Sequence, residues 1–205
     1  MPRLSHRQAS EELASRSPEI AHLRALHGPC RLGPRPRASA RFASLARAIV
    51  YQQLAGAAAA AIWGRLLAAL DGDCCAQRVL AAGPAALRAA GLSAAKAAAL
   101  GDLAARDLAG DLGLEGLGRR GDEEVTERLV AVRGVGPWTA QMFLLFTLHR
   151  LDVWPTGDLG VRKGYALAFG LEELPSPAAL EAAGEAFRPF RSVAAWYCWR
   201  ACERV

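Results

Sequence analysis

Two short stretches carry the residue types that could do chemistry. The first is RGVGPWTAQ, Arg133–Gln141, where two glycines and a proline lie between two helical patterns. Gly134 fits the left-handed position that ends a helix, and Pro137 fits the first turn of the next, where a missing N–H costs nothing. Asp122 can cap the preceding helix, whose apolar stripe is Val125, Leu129 and Val132. Two helices meeting through such a turn cluster backbone N–H groups at a helix N-terminus with no side chains in the way. That geometry attracts a phosphate. The same spacing also makes an ordinary tight helical hairpin. The second stretch is VWPTGDLGVRKGYA, in which Asp158 follows a Pro/Gly turn and precedes a helical segment running to about Gly170. Asp158 can be an N-cap and nothing more. A capping carboxylate is also one that N–H groups hold ionised, the form that stabilises positive charge or activates water.

The elements that must position these groups are helices. Apolar residues recur at helical spacing: Leu45 with Ile49, then Ile62, Leu66 and Leu70, then Val125, Leu129 and Val132, then Met142, Leu145 and Phe146. Strand-type alternation is almost absent. The alanine runs GAAAAAIW and SAAKAAAL are strong helix formers. Gly/Pro-rich breaks fall near 28–39, 82, 90, 113–122 and 174. The reading is all-α, with about ten short helices. The organisation expected is an N-terminal segment, 1–38, packing with the C-terminal part, a central lobe over 39–145 ending in the hairpin, and a C-terminal part over 146–205 with Asp158. A short N-terminal helix precedes the loop at 28–39. No repeat period argues for a solenoid.

Composition narrows the function classes. The 205 residues carry a net charge of +5, nearly all from arginine; Lys96 and Lys163 are the two lysines. Arginine suits phosphate, although a GC-rich coding bias also enriches it, so the basic balance only permits a nucleic-acid partner. No apolar run reaches membrane-spanning length, and the N-terminus lacks the apolar core of a secretion signal, so a cytoplasmic protein is expected. Five cysteines, an odd number without CxxC, and four scattered histidines argue against a structural zinc site. Cys198 and Cys202, one helical turn apart, read as buried small hydrophobes. Trp196 reads as core.

The hairpin followed at this distance by DVWPTGDLGVRKG resembles the helix-hairpin-helix/Gly-Pro-Asp superfamily of DNA glycosylases, and within it AlkA-type DNA-3-methyladenine glycosylase II. Upstream, AIVYQQLAGAAAAAI resembles the segment that family uses to fill the gap left by a flipped nucleotide, and FRPFRSVAAWYCWR resembles its closing helix. The likeness runs from about Arg41 to Arg200. It implies two helical lobes with Asp158 in the cleft between them as the catalytic aspartate. It places Gly134, Val135, Gly136 and Thr139 on the DNA backbone, Gln53 and Leu54 at a wedge entering the duplex, and Trp138 and Trp199 in the base pocket. Arg162 and Lys163 fit phosphate contacts, or plain solvated charge. Backbone carbonyls from about Val130 to Gly134 can hold a monovalent cation. The expected partner is double-stranded DNA with alkylated bases, bound by a monomer associated with the nucleoid, without membrane contact.

The departures are as informative. Strand-cutting relatives place a lysine where Trp138 stands, so the resemblance implies a monofunctional glycosylase with water as nucleophile. Cys198 and Cys202 cannot supply the four thiolates of an iron–sulfur cluster. The length leaves no room for the N-terminal β-domain of larger AlkA proteins, and Gly157 stands where many relatives have a second acidic residue. Two other readings stay open: a glycosylase for another damaged or mismatched base, and a non-catalytic helix-hairpin-helix DNA-binding module.

Overall fold

The apolar stripes wind into eleven α-helices, with no strand among the described residues, 4–203 of the computed structural model. The chain divides into two compact units, Arg35–Leu148 and a composite of Met1–Pro34 with His149–Val205.

In the contiguous unit, α3 (Arg41–Tyr51) buries Phe42, Leu45, Ala46, Ile49 and Val50 on one face, the spacing of an amphipathic helix. α4 (Gly56–Ala69) is the alanine run; only Ala59 and Leu66 are buried, so helix propensity more than burial sustains it. α5 (Ala76–Ala89) is broken internally where Gly83 takes φ +70° before Pro84, and α6 (Ala94–Leu108) packs against it. Arg41 is buried and donates to the carbonyls of Leu114 and Glu115, anchoring the 3-10 turn Leu114–Arg119. α7 (Asp122–Val130) starts one residue earlier than expected: Gly121 is its N-cap. Asp122 instead joins Glu123 and Glu124 in the first turn, where negative charge complements the helix dipole. α8 (Pro137–Phe146) buries Phe143, Leu144 and Leu145. The stripe read as Met142, Leu145 and Phe146 is only partly core, because Phe146 is 40% exposed and Met142 half-buried.

The composite unit begins with two helices, not one. α1 (His6–Arg16) opens on a Ser5–Gln8 capping box, and Ser17 then caps α2 (Pro18–His27), with Pro18 at the first helical position. After α9 (Leu159–Ala168) and α10 (Pro177–Gly184) comes α11 (Arg191–Ala201), in which Arg191–Cys198 are all buried. Such a helix is enclosed on every side. Tyr197 donates its hydroxyl to the Gly28 carbonyl at 3.0 Å, tying α11 to the end of α2. α9 and α11 approach backbone to backbone at Gly164, where an added Cβ would lie 1.7 Å from the Cys198 carbonyl oxygen. Trp196 and Cys198 are buried as expected, whereas Cys202, past the end of α11, is exposed. Burial raises the Cys198 thiol pKa far above its usual value, which leaves it inert.

Candidate functional site

In the contiguous unit, Gly134 takes φ +75° and turns the chain out of α7. The Val135 N–H then donates to the Val132 carbonyl at 3.0 Å, closing the turn, while the Val135 side chain enters the core. Gly136 is the N-cap of α8 and offers no side chain, so its own residue does not cover the first-turn amides. Trp138 projects from that first turn, 44% exposed. Thr139 is buried and its hydroxyl accepts from Gln52 Nε2 at 3.1 Å. The same Gln52 nitrogen donates to the Gly134 carbonyl, also at 3.1 Å.

Beyond Gln52 the chain makes an exposed corner. Gln53 takes φ +54°, a conformation uncommon outside glycine, and Leu54 is 39% exposed. Lys96 of α6 donates to the carbonyls of Val50 and Gln52, each at 2.7 Å. Asp102, on the same helix, accepts the Arg133 N–H at 2.8 Å. That bond, with help from Arg106, draws the Asp102 carboxyl below its usual range. Gln52, Lys96 and Asp102 carry no sequence signal, because each reaches a backbone group remote along the chain. Nearby, Ser44, Arg47, Tyr51, Met142 and Phe146 line a groove of about 240 Å³. The Arg47 guanidinium lies 4.8 Å from the Tyr51 ring centre, so that ring face already holds a cation.

In the composite unit, Asp158 is the N-cap of α9. Its Oδ1 accepts from the Val161 N–H and from the Trp199 indole Nε1, both at 2.9 Å. Trp199, half-buried on α11, therefore spends its polar edge on the carboxylate. Gly160 makes room for this: a Cβ there would come within 2.9 Å of Trp199 Cδ1. The segment leading to Asp158 is tied to the start of α11. Arg191 Nε and Nη2 bind the two Asp152 carboxylate oxygens at 2.8 and 3.0 Å, and Ser192 Oγ accepts the Val153 N–H at 2.9 Å. Burial pushes the Asp152 carboxyl up, but Arg191 and Arg188 together pull it below its ordinary value. Of the two cations after Asp158, Lys163 is exposed, while Arg162 donates Nε to the Pro175 carbonyl at 2.8 Å. Among the described residues no cluster of His, Cys, Asp or Glu could hold a metal ion, and no helix is long and apolar enough to cross a membrane.

A helix-hairpin-helix turn followed by a helix-capping aspartate defines a class of DNA-repair fold, and the chain belongs to it: residues 46–189 match the HhH-GPD superfamily base excision DNA repair protein family. The structure of the 3-methyladenine DNA glycosylase of Schizosaccharomyces pombe in complex with abasic DNA is similar, with a TM-score of 0.83 and 32% identity over 94% of this chain and 95% of that one. A DNA-3-methyladenine glycosidase from Bacillus halodurans has the same TM-score at 31% identity, covering 94% and 88%. By sequence, DNA-3-methyladenine glycosylase 1 of Schizosaccharomyces pombe is 38% identical over 115 residues, 56% of this chain and 50% of that protein. The match thus spans half the length of that curated relative.

Proposed function

We propose that the protein is a monofunctional DNA glycosylase of base excision repair. It hydrolyses the N-glycosidic bond of alkylated purines, of the 3-methyladenine and 7-methylguanine type, in duplex DNA. The observation that carries the reading is the Asp158 carboxylate, fixed by a helix N–H and an indole N–H in a chain that also bears the hairpin. The names of the similar glycosylases support it.

The amides at the start of α8 hold a backbone phosphate, which positions the enzyme without reading sequence. The damaged nucleotide swings out, at least cost where methylation has weakened pairing, and Leu54 fills the vacancy. A ring-methylated purine is cationic and leaves readily, and the exposed Trp138 face suits it. The C1′–N bond breaks with its electron pair going to the base. Asp158 stabilises the oxocarbenium charge on the sugar, then orients water and takes its proton as the oxygen bonds to C1′. Trp138 has no amine to attack the sugar, so the strand stays intact. With Arg162 Nε on Pro175, phosphate contact after Asp158 falls mainly to Lys163. The enzyme works as a monomer on nucleoid DNA in the cytoplasm.

A monovalent cation fits the hairpin, whose main-chain oxygens from Val130 to Gly134 are hard and neutral donors. The oxygens of Val132 and Gly134 already accept from Val135 and Gln52, so an ion would share them. Bound there, it would add positive charge beside the phosphate.

The test is base release from methylated duplex DNA, with and without alkali. Wild type should release free base and leave strands intact until alkali is added. Asp158→Asn should bind DNA and release nothing. Strand scission without alkali would refute the monofunctional assignment, and release by Asp158→Asn would refute the catalytic one. Binding without release by wild type would favour a non-catalytic DNA-binding module.

A further inference from the structure

We infer that Lys96 is a positioning residue for the wedge and that Gln52 ties it to the hairpin, an inference that rests on the glycosylase reading. α3 ends at Tyr51, and the last carbonyls of a helix have no partner within it. Lys96, reaching across from α6, takes two oxygens at that end, those of Val50 and Gln52. A lysine near a helix C-terminus ordinarily does no more than offset the dipole from solvent. This one is half-buried, and burial lowers the pKa of its ammonium below the usual value.

Its place along the chain gives the contact a purpose. Gln53 follows at once in the left-handed region, and Gln53, Leu54 and Ala55 are all exposed. Burial of the corner's own side chains does not hold it, so its position is set from outside by Lys96 and Gln52. Gln52 runs to Gly134 and Thr139, the hairpin itself. Asp102, six positions after Lys96 on α6, holds the hairpin at Arg133 N. One helix thus grips both the wedge and the phosphate clamp, and Gln52 closes the ring between them. The spacing between the gap that Leu54 fills and the phosphate that the hairpin holds is set before DNA arrives. A preset spacing spares the complex the cost of ordering the corner on binding.

The experiment is a double-mutant cycle read by single-turnover base release from methylated duplex DNA. Lys96→Met keeps the aliphatic stem and removes the donors; Leu54→Ala removes the wedge. Lys96→Met should slow release about tenfold, and it should add less than about twofold once Leu54 is already alanine. Additive losses, or a Lys96→Met rate equal to wild type, would overturn the assignment. A second readout avoids chemistry: in the Asp158→Asn background, 2-aminopurine opposite the lesion should lose its insertion signal when Lys96 becomes Met. An unchanged signal would overturn the proposal. Should Lys96→Met not fold, Gln52→Leu, which keeps the backbone carbonyls, takes its place in the same cycle with the same expectation. Wild type that releases no base would sink the glycosylase reading itself, whereas release unaffected by Lys96→Met would sink this proposal alone.

Discussion

Replacing glycine by alanine should act with opposite sign in two helices of this chain. At Gly164 the new Cβ would sit 1.7, 2.3 and 2.8 Å from the oxygen, carbonyl carbon and Cα of Cys198, all backbone atoms. Ordinary contact needs about 3.5 Å, so α9 and α11 must part by roughly 1.5–2 Å at their closest point. No rotamer change relieves a clash with backbone. The cost therefore belongs at the upper end of overpacking penalties, about 3 kcal/mol. For a chain of this size that is a fall in melting temperature of about 6–12 °C. At Gly101, inside α6, an added Cβ meets nothing within 4 Å. There the helix preference of alanine should raise stability by about 0.5–1 kcal/mol, or about 1–4 °C. Calorimetric melting of both variants beside wild type is the assay. Gly164→Ala melting at or above wild type would refute the argument from close approach. A loss at Gly101 comparable to that at Gly164 would show that glycine matters in these helices for some other reason.

Trp199→Phe keeps an aromatic ring but loses the donor to Asp158. Hydrogen bonds to charged groups are worth about 1.5–3 kcal/mol, and at this half-buried site the lower end applies. Single-turnover release should slow about tenfold with lesion affinity little changed, and a wild-type rate would show that the indole N–H does not position the carboxylate. His6 offers a pH test. Burial, then the charge of His149, lowers its pKa from 6.5 to about 4. The unfolded chain therefore binds the proton more readily than the folded one between those values, so this contribution to stability is intact above pH 6.5 and is lost as pH falls towards 4. Urea midpoints should drop between pH 7 and 4.5, and His6→Phe should flatten the drop; an equal drop in the variant would assign the effect elsewhere.

The glycines, the prolines and Asp158 were legible because each answers to a local backbone demand: a left-handed exit, a first-turn imide, a cap. The all-helical class followed from periodicity. What escaped the sequence is polar and remote. Lys96 reaches 46 residues back to Val50, and Trp199 reaches 41 residues back to Asp158. Neither contact leaves a pattern along the chain. The same limit explains Trp199, which the family resemblance assigns to the base pocket and the structure shows with its N–H on the carboxylate. It also explains Phe146, whose spacing suits a core residue but whose side of α8 lies partly open. The Ser17–Pro18 break between α1 and α2 was readable as a cap followed by a first-turn proline. The apolar pattern on either side is too weak to read as two helices.

The composite unit has a consequence for how the chain comes off the ribosome. Its two parts, 1–34 and 149–205, are separated by the whole contiguous unit, which is free to fold as soon as residue 148 has emerged. α1 and α2 have no such freedom: α11, which packs against both and whose Tyr197 fastens Gly28, is made long after them. Synthesis thus brings out α1 and α2 well before α9 and α11, which pack against them, and the Asp158 carboxylate gains its indole partner only when Trp199 arrives. A nascent chain would therefore carry a finished hairpin well before it carries the paired Asp158 and Trp199.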